Sequence, residues 1–373
     1  MLKRLYAINF IDAFIAGATT VLVPLLMAER GIGIATIGLV FAAAPLAKAL
    51  VRLAGAAIAD SLGDRIIYVF ASFSNLLQAL AYLVSTVPAG FAAGKLLDGA
   101  RESFIWSVVR PSLMAAAPEK KHFAFADLLS GRFAYNAIGS LAAGLLFIYG
   151  GYSLPLLVLA ALSCYLVYSS FRLRDFHRAA SAFKLSDFTP FGRSRKFYEV
   201  AGVFVAGSIF YNAVFYMLLP IYFKLQGFSI WEIGLLYAGY FLLQGAALNL
   251  ISRRKVGTAN AALAGAAIYC AGLAGVAMSP QQLMPLFFLI MPFGDACLSM
   301  LWEEMNYIVG KTSSKRATDL AVVVMPSFFG VVVASGLSGA AVAAVGFAPI
   351  FALCAASEMV FSAWCVRLSR MKA

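Results

Sequence analysis

Charge is scarce in this 373-residue chain: Asp, Glu, Lys and Arg make up 12% of it, against 62% hydrophobic residues. With a mean hydropathy of +0.87, so little charge excludes an ordinary soluble domain, in which about a quarter of the residues are charged. Histidine is almost absent. The two present, His122 and His177, both lie outside the long apolar stretches, so a histidine proton relay or a His-ligated metal within a membrane is not expected. The five cysteines (Cys164, Cys270, Cys297, Cys354 and Cys365) are scattered without a CxxC pair, which leaves no zinc spacing and no disulfide framework; they read as packing residues. An ATP-binding loop is missing, and so is the short alternating pattern of barrel strands. No cofactor is called for.

Long apolar stretches dominate what is there. A helix needs about 20 apolar residues to cross a bilayer. Such stretches recur at roughly 5 to 28, 36 to 59, 66 to 86, 90 to 112, 124 to 149 and 153 to 171, then at 199 to 222, 231 to 251, 258 to 278, 283 to 308, 318 to 341 and 347 to 367. The expected fold class is an all-α membrane protein with twelve transmembrane helices, because helices satisfy their own backbone polar groups in lipid. The first stretch starts almost at Met1 without a separate cleavage region, so it is expected to stay as an anchor. Of the 29 Lys and Arg, 22 fall in alternate loops and the two tails, and only Arg30 and Lys224 fall in the loops between. Cationic loops resist translocation, so both termini are expected in the cytoplasm, in a plasma membrane. The net charge of +12 then sets topology and faces anionic headgroups of the lipid bilayer; nucleic acid is not an expected partner.

The longest polar stretch, Arg172 to Lys196, follows the sixth span and divides the chain. The halves repeat one another: "VPLLMAERGIGIATIGLVFA" (Val23 to Ala42) aligns without a gap to "LPIYFKLQGFSIWEIGLLYA" (Leu219 to Ala238), pairing Pro24 with Pro220, Gly31 with Gly227 and Gly38 with Gly234. A second echo pairs Gly99 with Gly294, and Lys120-Lys121 with Lys315-Arg316. Two six-helix bundles are therefore expected, at 1–171 and 199–373, joined by a cytoplasmic linker at 172–198. Parallel repeats around a midplane site describe a secondary transporter working by alternating access.

Between the second and third spans stands "GAAIADSLGDR". It resembles the loop signature of the major facilitator superfamily, a Gly followed by Asp-Arg-x-Gly-Arg-Arg, with Gly55, Asp60, Gly63 and Arg65 in register and Ser61 and Asp64 where that pattern has basic residues. "KLLDG" (Lys95 to Gly99) looks like the family's fourth-helix Arg-x-x-x-Gly element with Lys for Arg, and "GSLAAG" (Gly139 to Gly144) is similar to the fifth-helix antiporter element with Ser140 for Pro. The resemblance implies a gating role for Gly55, Asp60, Gly63 and Arg65. It also implies a central cavity surrounded by the first, second, fourth, fifth, seventh, eighth, tenth and eleventh spans.

A charge at the centre of a membrane helix costs about 2.5 to 3.5 kcal/mol on insertion scales, so each asks for a partner or a use. Twelve lie well inside the spans: Asp12, Lys48, Arg52, Lys95, Asp98, Arg101, Glu102, Arg132, Asp295, Glu303, Glu304 and Glu358. Only Glu358 falls on a span that the resemblance puts outside the cavity. Lys48 and Arg52 face the same way, four residues apart, and need an anion: Asp12, at a similar depth, or a substrate. At the repeat offset Lys48 maps to Gln244 and Arg52 to Leu248, so the basic layer is confined to the first half. Tyr211, Asn212, Tyr240 and Asp295 face it from the second. Expected substrate-binding residues are Lys48, Arg52, Arg101, Tyr211, Asn212, Tyr240 and Gln244. Asp12, Asp98, Glu102 and Asp295 are expected to carry protons, as neighbouring buried acids do.

These features predict a proton-coupled transporter, with protons and a small anionic or zwitterionic organic solute as partners and with a single copy as the working unit. A multidrug or amphiphile and lipid exporter of the same fold is the alternative. From another class, the His122-x4-Asp127 spacing raises a membrane-embedded acyltransferase, without the flanking elements such an enzyme needs.

Overall fold

The computed structural model describes residues 2–116, 121–173, 192–254, 256–312 and 316–370; within them, the backbone alone is described for 2–3, 56–57, 59–62, 110–116, 121–126, 310–312 and 316–317. Among the described residues every regular element is a helix. In chain order these are α1 Leu2–Glu29, α2 Ile34–Leu62, α3 Asp64–Val84, α4 Pro88–Ala116, α5 Lys121–Gly150, α6 Ser153–Phe171, α7 Arg195–Ser208, α8 Tyr211–Ala213, α9 Leu219–Leu225, α10 Ile230–Arg253, α11 Thr258–Met278, α12 Met284–Thr312, α13 Arg316–Val345 and α14 Phe347–Arg370. Taking Arg195–Leu225 as one unit, eleven are long and apolar enough to cross a membrane. α4 is set apart by its charges at Lys95, Asp98, Arg101 and Glu102, which make it a helix that has to hide one face from lipid.

The seventh apolar stretch departs from the expected unbroken helix. Between α8 and α9 the chain makes a π turn at Val214–Leu218, where the Leu219 N–H donates to the Val214 carbonyl. Pro220 supplies the reason, since it lacks the N–H that would hold the carbonyl four residues back. Tyr237 on α10 braces the turn, its hydroxyl donating to the Phe215 carbonyl at 2.6 Å. Such turns interrupt helices frequently at functional positions.

The sequence repeat has a physical basis in how helices end. Gly31 (φ 73°) and Gly227 (φ 93°) both take the left-handed conformation that side chains disfavour. Behind them the Ile32 and Phe228 N–H groups donate to the Met27 and Phe223 carbonyls, each at 3.1 Å. That is the same C-terminal capping motif, made once in each half.

Expected and observed element boundaries differ by a few residues, apart from the middle of the chain. Residues 174–191 of the expected linker lie outside the described residues. α7 begins within its last part, capped by Ser194, whose hydroxyl accepts the Phe197 N–H at 3.3 Å. The most extensive helix pairs are α2 with α13 and α5 with α10. Around them α4 lies against α2 and α3, α1 against α5, α12 against α10 and α11, and α14 against α7 and α11.

Candidate functional site

The site grows from the charged face of α4. Side chains three and four residues apart are neighbours on a helix, so Lys95, Asp98, Arg101 and Glu102 form one connected face. Gly99 lets this helix approach α2 until it lies against the Ala44 carbonyl. Asp98 takes Lys95 Nζ at 3.1 Å on Oδ2 and Arg101 Nη2 at 2.8 Å on Oδ1. Arg101 also reaches α1, where its Nη1 lies 2.6 Å from Asp12 Oδ1.

Asp12 is completely buried. Its second oxygen accepts from Arg132 Nη2 of α5 at 2.8 Å, and Asn75 of α3 donates to the first at 3.1 Å. Arg132 Nη1 in turn donates to the Asn9 carbonyl at 3.0 Å and to its side-chain oxygen at 3.2 Å. Four helices thus meet on one carboxylate. A buried ion stays charged only when its partners replace the water it lost, and two guanidiniums and an amide do so here.

Asp12, one of the two anions expected beside Lys48 and Arg52, the other being a substrate, pairs instead with Arg101 and Arg132. Lys48 Nζ instead lies 2.6 Å from Glu102 Oε2. The reason is packing: α2 runs along α4 and scarcely touches α1, so the acid nearest to Lys48 is on α4. Lys95 and Arg132, absent from the expected site, complete the network. Each also sits over a ring, Lys95 Nζ 4.3 Å from the Phe41 centroid and Arg132 Cζ 5.1 Å from that of Trp106, as cations do where water is scarce. Their being charges inside apolar spans was the signal that could have found them.

Opposite stands Asp295, near the middle of α12. Three donors converge on its Oδ2: the Tyr211 hydroxyl at 2.8 Å, the Tyr240 hydroxyl at 2.8 Å and Gln244 Nε2 at 2.7 Å. A cavity of about 410 Å³ separates this acid from the α4 network. Lys48, Arg52, Asp98, Arg101 and Glu102 line one wall, and Tyr211, Asn212, Gln244 and Asp295 the other. Asp12 and Tyr240 do not line it; each is fully buried behind the wall and touches a lining residue, Asp12 reaching Arg101 and Arg132 and Tyr240 reaching Asp295. Glu358 of α14, which the resemblance put outside, does line it, because α14 packs on α7 and α11 and its inward face reaches the cavity.

The expected gating stretch is described in part. Gly55 faces α4, where an added Cβ would lie 3.2 Å from Ser107 Oγ. Gly63 (φ 91°) turns the chain into α3, and Arg65 is exposed just beyond it. The Asp60 side chain lies outside the described residues, as does that of His122. Asp127 is engaged across α5 and α10, its Oδ1 accepting from Asn249 at 3.4 Å and lying 3.9 Å from Arg253. All five cysteines are free, and no cluster of three or more metal-ligating side chains occurs among the described residues.

Among the described residues, eleven membrane-length helices around a charged cavity fit a membrane transporter, and comparison with known proteins gives the family. The family profile of the Major Facilitator Superfamily matches residues 5–303, so the chain belongs to that superfamily. No curated protein sequence matches it. Among solved structures, a D-xylose-proton symporter superposes with a TM-score of 0.74 at 12% identity, over 98% of this chain and 97% of its own. The human organic anion transporter MFSD10 (TETRAN) does so with 0.70 at 13%, over 98% of each chain. A point mutant of the nucleoside transporter NupG gives 0.69 at 17%, over 99% of this chain and 98% of its own. At such identities the likeness is one of fold.

Proposed function

We propose that this protein is a secondary active transporter that moves a small organic solute, anionic or zwitterionic, across the membrane by alternating access and in exchange or symport with protons. Residues 1–171 and 199–373 act as two six-helix bundles that rock about the cavity. Both termini face the cytoplasm, the protein works as a single copy in the cell membrane, and Asp60 and Arg65 help to clasp the cytoplasmic end. One observation carries the reading: the cavity between the halves has Lys48, Arg52 and Arg101 on one wall and Asp295 on the other, a field that suits a solute of mixed or negative charge. Organic anions, nucleosides and a sugar moved with a proton are named for the structural neighbours, which supports a small organic solute.

Among the acids expected to carry protons, Asp295 and Glu102 fit best. Asp295 has no Lys or Arg within ion-pair distance among the described residues, and Glu102 is 35% exposed with Lys48 as its ion-pair partner. Asp12 and Asp98 are each held by two cations. The test is uptake by reconstituted vesicles under an imposed pH gradient. Acceleration by the gradient that disappears in Asp295→Asn or Glu102→Gln supports coupling. Uptake indifferent to the gradient, in native protein and variants alike, refutes it.

A further inference from the structure

The charges around the cavity divide unevenly. All five Lys and Arg that line it (Lys48, Arg52, Lys95, Arg101 and Arg132) come from α2, α4 and α5. The lining contributed by α7 to α14 contains Asp295, Glu303 and Glu358 and no basic residue among the described residues. Asp295 and Glu358 on the second wall therefore have no basic residue beside them in the described lining.

Glu358 is the sharpest case. It is 2% exposed, it faces the cavity, and no hydrogen bond or ion pair reaches it from any described residue. One turn further along α14, the Ser362 hydroxyl is buried without a partner as well. Burying a carboxylate with nothing to meet it is costly unless it takes up a proton, and a cation entering the cavity is the other way for this acid to be met. Asp295 points to the same conclusion by different geometry. Its three donors all approach Oδ2, which orients the carboxylate and leaves Oδ1 to accept from something else.

The walls around these acids are aromatic. Tyr211, Tyr216, Trp302 and Phe361 line the cavity beside them, with Tyr211 edge-on to Tyr216 at 6.3 Å and Trp302 6.2 Å from Phe361. Ring faces next to carboxylates attract a cation that gives up part of its hydration, and an ammonium group does so readily.

We propose that Asp295 and Glu358, with these rings, form the docking site for a protonated amine, so that the solute is a zwitterion with its amine on α12 and α14 and its anionic end toward Lys48. The inference rests on the central cavity being the solute's path, and it narrows the proposed solute to one carrying an amine.

The test measures the charge preference of the pocket without knowing the solute. Ser299, on the cavity wall one turn from Asp295, is replaced by cysteine in the full-length protein. It is then labelled with 2-aminoethyl or 2-sulfonatoethyl methanethiosulfonate, and modification at residue 299 is read by mass spectrometry. An uncompensated acidic cleft raises the local concentration of a cation by about tenfold or more, so the aminoethyl reagent is expected to react at least about tenfold faster. That preference should fall several-fold in Glu358→Gln and in Asp295→Asn. It should not fall in Lys48→Ala, which removes a cation and frees Glu102 on the first wall but leaves Asp295 and Glu358 in place. Should Asp295→Asn not fold, Glu358→Gln decides alone. A ratio near one, a ratio insensitive to both acids, or a residue that neither reagent reaches overturns the proposal. Failure of the functional reading looks different: reconstituted protein carries no solute although the labelling preference stands.

Discussion

A Cβ on Gly38 of α2 would lie 2.7 Å from the carbonyl oxygen of Ser335 on α13. At the matching place in the other half, a Cβ on Gly234 of α10 would lie 2.7 Å from the carbonyl oxygen of Ser140 on α5. Gly339 and Gly144 lie just beyond, with Cα atoms 3.1 and 3.2 Å from those two points. The same glycine-to-glycine contact is therefore built twice, where α2 meets α13 and where α10 meets α5. Both contacts sit near the starts of α2 and α10, at the end bearing loops 30–33 and 226–229. Small residues let helix backbones approach in this way within a membrane.

Gly38→Ala puts a methyl group where backbone already stands, and overpacking costs about 1 to 3 kcal/mol. If α2 and α13 part during transport, the closed pair should become about tenfold less populated. Spin labels at Arg30 and Ala344 should report a longer distance, and uptake should fall. Gly339→Ala should act alike, with the double variant less than additive because one contact is lost.

Asp12 should prove structural in its energetics. Asp12→Asn leaves Arg101 and Arg132 facing a neutral amide, and breaking a buried ion pair costs about 3 to 5 kcal/mol. Thermal unfolding in detergent should show a pronounced drop. A variant that melts like the native protein but loses pH-driven uptake would assign Asp12 to proton transfer instead.

Lys48→Ala should behave in the opposite way. The Lys48–Glu102 pair is partly open, with side-chain exposures of 15% and 35%, and partly exposed pairs contribute about 0 to 1 kcal/mol. Stability should barely change, while stabilisation of the protein by zwitterionic or anionic solutes should disappear. Retention of that stabilisation would make the basic layer structural.

A control lies far from the cavity. Ser229 and Glu232 form a capping box at the start of α10, where the Ser229 N–H donates to Glu232 Oε2 at 2.7 Å. Ser229→Ala should cost about 1 kcal/mol of stability. Transport per folded molecule should stay at the native level.

The sequence alone determined the class of structure. Apolar length and the near absence of charge required membrane spans, and the missing alternation of barrel strands left helices as the way to satisfy a backbone in lipid. Gly31 and Gly227 were legible as a repeat because each must turn left-handed to end a helix, a local demand that a sequence states openly. The intramembrane charges were legible too, since each is costly wherever it lies. Tertiary structure decided who meets whom. Asp12 or a substrate was expected beside Lys48 by depth along two helices, but Arg101 of α4 takes the acid while Glu102 of α4 takes the lysine. Glu358 lay outside the expected cavity until the packing of α14 on α7 and α11 turned it inward. Helical period and hydropathy are properties of one segment read by itself. Charge pairing depends on rotation and proximity between segments far apart in the chain, which are settled only when the helices pack.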